Sequence, residues 1–121
     1  MIQNFRFYDR FNSLMVYSSE YESLADFFED YEKAVKGENA PVLIQSTGLN
    51  DKNGKEIFEG DLIKGKFGDI MSVLWDDGFA SFCLSKPGWA YLHYFKEAVD
   101  AEKCEVIGNI YDNKELLNEK D

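Results

Sequence analysis

Residues 47–65, with the sequence TGLNDKNGKEIFEGDLIKG, decide the fold of this chain. Turn-forming residues recur there at short intervals between apolar pairs. Asn53-Gly54 suits a tight turn that needs positive φ, and Glu59-Gly60-Asp61 supplies a second reversal before the apolar pair that follows it. The stretch predicts short strands joined by tight turns, and its glycines favour a strongly bent sheet.

Strand patterns continue on both sides of this stretch. Residues 5–17, FRFYDRFNSLMVY, predict two strands joined through residues 9–13. Phe5 and Phe7 alternate with Arg6, and residues 14 and 16 alternate with 15 and 17, which is typical of a half-buried hairpin. Further strands are predicted at residues 42–45, 62–66, 70–75, 79–84, 89–94 and 104–111. A second, weaker helix is possible at residues 95–103.

One amphipathic helix is predicted between the hairpin and the turn-rich stretch. Ser19 and Glu22 have the spacing of a capping box, and Gly37 can end the helix. Apolar side chains recur at helical spacing, at Leu24, Phe27, Phe28, Tyr31 and Val35. The opposite face is acidic, with Glu22, Asp26, Glu29, Asp30 and Glu32 only partly offset by two lysines.

These signals predict a mainly β (α+β) fold. We expect a strongly bent or coiled antiparallel sheet or an SH3-like small barrel, with an N-terminal hairpin and one packed amphipathic helix. The 121 residues are 45% hydrophobic and 16% aromatic, enough for one core. We therefore expect a single domain over residues 1–121, with the hairpin and acidic helix in 1–40, the β core in 41–112 and a short tail in 113–121.

The formal net charge of −10 constrains the partners of the chain. Binding to nucleic acid requires clustered cations that neutralise phosphates. The lysines at 52, 55, 64 and 66 are interrupted by acidic residues, so direct binding to nucleic acid or to an anionic membrane is not expected. The N-terminus also has no basic region followed by an apolar run, as a signal peptide would, so we expect a cytoplasmic protein.

Few residues have a pattern suited to catalysis. His93 is the one histidine and fits a solvent-side strand position, although it could act as a lone acid or base. Cys83 and Cys104 lack the partners of a zinc site and fit buried thiols in a reducing compartment. Asp51 and Gly54 resemble part of a calcium loop, but the remaining ligand positions do not match, which leaves a turn with local Asx hydrogen bonds. We expect no enzyme activity and no cofactor.

Three blocks of sequence resemble the YopX family of small phage and prophage proteins. The blocks are FRFYDRFNSLMVY, TGLNDKNGKEIFEGDLIK and CEVIGNIYDNKELL, in that order and over nearly the whole chain. The matching positions are Phe5, Arg6 and Asp9; Thr47, Gly48, Leu49, Asp51, Gly54, Ile57, Phe58, Glu59, Gly60 and Asp61; and residues 105–111, Asn113, Glu115 and Leu116. Phe58 stands where Tyr is commoner in the family, and Lys114 where Pro is common. The resemblance implies a phage origin and a compact, mainly β fold, and it implies no established activity.

Two hypotheses for the function follow. The favoured one is a non-enzymatic accessory protein that binds a host or phage protein, through the acidic helix face or through surface aromatics on predicted adjacent strands: Trp75, Trp89, Tyr91 and Tyr94. In a sharper version, the acidic face mimics nucleic acid and inhibits a host defence protein. The alternative is a small-ligand-binding protein or minor enzyme with a pocket between helix and barrel. A homo-oligomer is possible.

Overall fold

A computed structural model describes residues 3–89, 93–95 and 101–118. The protein is mainly β, with antiparallel sheets, one of them curled into a half-barrel, and a packed helix, as predicted. The strands are β1 (Phe5–Asp9), β2 (Leu14–Tyr17), β3 (Val42–Asn50), β4 (Glu56–Phe58), β5 (Asp61–Lys64), β6 (Ile70–Asp76), β7 (Ser81–Ser85), β8 (His93–Tyr94) and β9 (Glu105–Asn109). Helix α1 spans Leu24–Lys33, and short 3₁₀ helices occupy Ser18–Glu20, Ala101–Lys103 and Lys114–Asn118.

The chain divides into two compact units, Met1–Ser46 and Thr47–Asp121. Strand β3 runs across the boundary between them. The four-stranded sheet has the order β2-β1-β3-β4. The five-stranded sheet, in the second unit, has the order β8-β7-β6-β5-β9. The expectation of a single domain stays a prediction.

In the first unit, α1 packs on one face of the β2-β1-β3 sheet through aromatic rings. Phe7 lies opposite Val16 on β2 and Leu43 on β3, so all three project from the same face. The Phe7 ring lies 5.4 Å from that of Phe27, and the Phe5 ring lies 5.6 Å from that of Phe28. Phe27 is fully buried, which makes it the anchor of the helix.

The predicted start of α1 was wrong. Ser23, not Ser19, is the N-cap, and its hydroxyl accepts a hydrogen bond of 3.1 Å from the backbone N–H of Asp26. Residues 18–20 form a 3₁₀ turn instead. Tyr21 follows that turn, and its ring lies 5.7 Å from that of Phe27, so the segment before α1 packs against the helix. Gly37 has the left-handed φ of +60° that was expected, but α1 has already ended at Lys33.

In the second unit, a bulge bends the sheet. Leu62 pairs with Gly108 and Ile63 with Val106, so Ile107 is an extra residue on β9. Such a bulge increases the local twist of a sheet. The core on this sheet contains Ile57, Ile63, Met71, Val73, Leu84, Phe95 and Cys104, all buried.

The turn at Asn53-Gly54 is organised by the buried carboxylate of Asp51. Its Oδ1 accepts hydrogen bonds from the backbone N–H groups of Asn53 and Lys55, at 2.8 and 2.9 Å. Its Oδ2 accepts from the N–H of Val106 on β9, at 2.9 Å. Burial has the largest effect and raises the pKa of Asp51, but the three backbone N–H groups together with the charge of Lys55 hold that pKa below its ordinary value. The Asx hydrogen bonds predicted here are confirmed.

The residues that follow β9 close a compact turn against Gly60. Asn109 Oδ1 accepts from the backbone N–H groups of Tyr111 and Asp112, at 2.9 and 2.8 Å. The N–H of Ile110 donates to the carbonyl of Gly60 at 2.9 Å. An added Cβ at Gly108 would lie 3.0 Å or less from three side-chain atoms of Asn113, so this position has room only for glycine.

Several predicted boundaries change at the β6–β7 turn and beyond. Strand β7 starts at Ser81 rather than at residue 79, because Phe79 N–H donates to Asp76 Oδ2 at 2.9 Å and Ala80 has a φ of +50° within the turn. Of the strand predicted at 89–94, β8 covers His93–Tyr94, and residues 90–92 lie outside the described part. Of the possible second helix, residues 96–100 lie outside it, and Ala101–Lys103 is 3₁₀.

We predict that Gly60→Ala destabilises the protein more than Gly54→Ala. Both glycines have left-handed backbone, with φ of +88° and +81°. Nothing lies within 4 Å of an added Cβ at Gly54, whereas at Gly60 it would lie 3.1 Å from Tyr111 Cε2. We expect the free energy of unfolding to fall by about 1 kcal/mol for Gly54→Ala and by about 2 kcal/mol for Gly60→Ala, measured by denaturant unfolding. A larger loss at Gly54 would contradict this account of the two turns.

We also predict that Phe27→Ala lowers the free energy of unfolding by about 3–5 kcal/mol, because it leaves a cavity between α1 and the sheet. Glu29→Ala, two residues away on the exposed face, is the matched control and should change it by less than about 0.5 kcal/mol. Denaturant unfolding measures both. Similar losses in the two variants would rule out the docking of α1 through Phe27.

Candidate functional site

The sequence-predicted acidic residues lie on the face of α1 opposite its aromatic stripe. Asp26, Glu29 and Glu32 are exposed, and Glu22 is exposed just before the N-cap. In contrast, Leu24, Phe28 and Tyr31 are half-buried and Phe27 is buried on the sheet side. We call Glu22, Asp26, Glu29 and Glu32 the acidic face. It presents four carboxylates from one helix and its N-terminal flank.

Asp30 belongs to the predicted set but has internal partners. Its Oδ2 accepts a hydrogen bond of 2.7 Å from the hydroxyl of Tyr21, and its Oδ1 lies 3.9 Å from Lys33 Nζ. The hydrogen bond to Asp30, followed by burial and the charges of Asp30 and Glu20, raises the pKa of Tyr21 from its ordinary 10.0 to about 12. Asp30 therefore fixes the chain entering the helix and is less available to a partner than the acidic face.

The four predicted aromatic residues all belong to the second unit and have different surroundings. Trp75 is 37% exposed, and its indole N–H donates to Asp77 Oδ1 at 2.8 Å. Trp89 packs against the core, with Lys86 Nζ 5.6 Å from its ring centroid. Tyr91 lies outside the described residues. Tyr94 lies in β8, where its backbone pairs with Cys83 of β7. The side chain of Tyr94 lies outside the described part of the structure.

The structure places other large apolar side chains at the surface that the sequence did not single out. Phe67, at the β5–β6 turn, is 85% exposed, and Phe11, at the β1–β2 turn, is 71% exposed. Each of them follows a basic residue in a tight turn. No periodic sequence pattern distinguishes such an exposed aromatic residue from one in the core. Strand alternation predicts burial within strands and does not extend to turn tips.

A pocket of about 240 Å³ in the first unit was also missed by sequence reasoning. It lies between the β1–β2 turn, with Arg10 and Phe11, and the segment after α1, with Lys36, Asn39 and Pro41. The two walls are more than twenty residues apart in the chain. The antiparallel pairing of β1 with β3, in which Tyr8 lies opposite Val42, brings them together.

The structure describes the candidate catalytic residues only in part. Cys83 and Cys104 are both fully buried thiols, as predicted. Burial, with a smaller effect from Asp76, raises the pKa of the Cys83 thiol, which opposes thiolate chemistry. The side chain of His93 lies outside the description. Within the described residues, no group of three or more His, Cys, Asp or Glu side chains could hold a metal ion. None of the helices described has both the length and the apolar character needed to cross a bilayer.

Known proteins similar to this chain agree with the fold described above. The family model named YopX protein matches residues 4–118. Among solved structures, the chain is similar to the crystal structure of protein EF1440 from Enterococcus faecalis, with 24% sequence identity and a TM-score of 0.61. That similarity covers 97% of this chain and 99% of the other, and it concerns the fold alone. No curated protein matches the chain.

We predict that Asp30→Asn lowers the pKa of Tyr21 from about 12 toward 10, because the amide removes the charge that holds the phenol neutral. The raised pKa contributes stability that is fully present below pH 10 and is lost as the pH rises toward 12. NMR titration of ¹³C-labelled tyrosine, assigned with Tyr21→Phe, measures the pKa. Glu29→Gln removes the same charge without contacting Tyr21 and should leave that pKa unchanged. The same pKa in wild type and Asp30→Asn would exclude this hydrogen bond as the cause.

Proposed function

This chain belongs to the YopX family, and we propose that it is a non-enzymatic, phage-encoded accessory protein that binds a basic host or phage protein through the acidic face of α1. The observation that carries the proposal is the separation of charge from packing on one helix. The aromatic stripe packs α1 against the sheet, whereas Asp26, Glu29 and Glu32 are exposed.

The arrangement of these carboxylates supports a basic partner. Like charges three residues apart, such as Asp26 and Glu29, repel each other and slightly lower the stability of the helix. The same charges raise the rate of association with a basic surface, and this effect weakens with salt. Lys33 lies near Asp30 and offsets one charge of the helix. The four carboxylates of the acidic face have no cation closer than 4.0 Å among the described residues.

A nucleic-acid mimic is the sharper form of this proposal. In a mimic, exposed carboxylates take the place of phosphates in the basic groove of a host nuclease, polymerase or defence protein. The overall charge of −10 supports this reading, because the long-range field of the protein then has the same sign as that of nucleic acid. Buried thiols fit the reducing cytoplasm of a bacterial host, where such targets are found.

The aromatic surface is the weaker candidate for the same role. Trp89 is engaged with the core, and the indole of Trp75 is held by Asp77 and by the Phe82 ring at 5.1 Å. Interface anchors are typically aromatic rings that enter a pocket of the partner. A ring fixed edge-on against its neighbour has less area to offer than the exposed acidic face.

We predict that the variant Asp26→Lys, Glu29→Lys, Glu32→Lys keeps the fold and loses a salt-sensitive partner captured from bacterial lysate by the wild type. The matched control reverses three exposed acids elsewhere, Glu38, Asp112 and Glu115. Each replacement adds two charges, so both variants go from −10 to −4. Capture at rising salt concentration, with thermal melting of each variant, makes the comparison.

Two results would contradict the proposal. If the helix variant captures the same partner with unchanged salt dependence, the acidic face is only a solvated surface. If both variants lose the partner equally, net charge and not this face determines binding. Mass spectrometry identifies the captured protein, and competition by nucleic acid then tests whether it binds the acidic face through a nucleic-acid groove.

A further inference from the structure

We propose that the pocket of the first unit binds a small monocarboxylate that carries an apolar or aromatic group. The pocket lies at the end of the sheet where β1 ends, between the β1–β2 turn and the segment that follows α1. It is separate from the acidic face and independent of the function proposed above. Its lining differs in charge from the rest of the protein.

One wall is a turn that the chain fixes by itself. Asp9 Oδ1 accepts from the backbone N–H groups of Phe11 and Asn12, at 3.0 and 3.3 Å. Its Oδ2 accepts from Asn12 Nδ2 at 2.8 Å. These bonds, the Asn12 side chain first, hold the pKa of Asp9 below its ordinary value despite burial, so the carboxylate stays charged and the turn stays closed at neutral pH. Arg10 and Phe11 are thus presented by a rigid turn.

The opposite wall is a second small loop with its own reciprocal bonds. The backbone N–H of Lys36 donates to the carbonyl of Asn39, and the N–H of Asn39 donates to the carbonyl of Lys36, both at 2.8 Å. Gly37 has a φ of +60° within this loop, with nothing within 4 Å of an added Cβ. Both walls are therefore formed before any ligand arrives, which is the usual condition of a small-molecule site.

The charge of the lining selects an anion. Arg10 and Lys36 are cationic, and Asp9 is the single anion among the lining residues. The Asp9 oxygens are already engaged by Asn12 and Phe11, and among the described residues Arg10 forms no ion pair. The lining has a formal charge of +1 in a chain of −10. A guanidinium presents a planar fork of donors that matches a carboxylate.

The remaining lining selects the rest of the ligand. Phe11 is 71% exposed, and Pro41 with two alanines completes an apolar side. The volume of about 240 Å³ is below the range typical of drug-sized ligands. One ring or a short branched chain fits, and a nucleotide or an extended peptide does not. Benzoate has this combination of a single carboxylate and one apolar ring.

Titration of the ¹⁵N-labelled full chain with benzoate tests the proposal, read from backbone amide shifts. We expect saturable shifts centred on Phe11, Lys36 and Asn39. Arg10→Gln should weaken binding about tenfold, as expected for losing a charge-assisted pair of hydrogen bonds. Lys33→Gln, which removes a cation of the same unit outside the pocket, should change binding by less than about twofold. Both substituted residues are exposed, and the spectrum of each variant reports its fold.

Two further probes separate the two parts of the ligand. Benzamide keeps the ring and loses the charge, and inorganic phosphate keeps charge without the ring. Both should bind at least about tenfold more weakly than benzoate. The proposal is overturned if benzoate gives no saturable shift at about 10 mM, a concentration that detects even millimolar affinity. It is also overturned if benzamide or phosphate binds as well as benzoate, or if Lys33→Gln weakens binding as much as Arg10→Gln.

Discussion

The second unit depends on the buried carboxylate of Asp51. This group accepts three backbone hydrogen bonds, two from its own turn and one from Val106 on β9. The strand that it holds is far away in the chain, and it is the strand that carries the bulge at Ile107. A buried charge is costly unless it is fully hydrogen-bonded, so the turn, the strand end and the curl of the sheet must form together. Hydrogen bonds to a charged acceptor contribute roughly twice as much as those between neutral groups.

The first unit is held by a different kind of interaction. Two aromatic rings of α1 contact β1 edge to face, Phe28 against Phe5 and Tyr31 against Phe7, each at 5.6 Å. The Phe27 ring lies tilted against that of Phe7 at 5.4 Å. Edge-to-face pairs add a directional component to hydrophobic burial, and they fix which helix face meets the sheet. The acidic residues are placed on the outside by the same packing. The charge distribution of the unit is therefore a consequence of its core.

The two candidate sites differ in how many parts of the chain they need. The acidic face is a continuous surface on one element, so its geometry survives as long as α1 is docked. The pocket needs two loops from distant parts of the chain, and each loop is fixed by hydrogen bonds within a few residues: Asp9 with Asn12 on one side and Lys36 with Asn39 on the other. Such loops keep their shape at little additional entropic cost when they are brought together. A protein with a strongly negative surface can in this way retain a small site for an anion.

Sequence by itself determined the features that depend on local spacing. Alternation of apolar residues identified the N-terminal hairpin, and helical spacing identified the buried stripe around Phe27. The left-handed glycines at 54 and 60 and the Asx bonds of Asp51 followed from turn chemistry, since these conformations are set within four or five residues. The acidic face was visible for the same reason. Its residues repeat with the helix.

Tertiary structure decided what depends on contacts between distant residues. Two serines, Ser19 and Ser23, both precede an acid by three positions, and the contacts of Tyr21 with Phe27 and Asp30 favour the second as the cap. Asp30 has the spacing of an exposed acidic residue, but it accepts an internal hydrogen bond from Tyr21 that no spacing rule predicts. The bulge at Ile107 and the pocket lined by Arg10 and Lys36 each join segments more than twenty residues apart. Local sequence fixes backbone conformation, whereas long-range packing decides which groups meet.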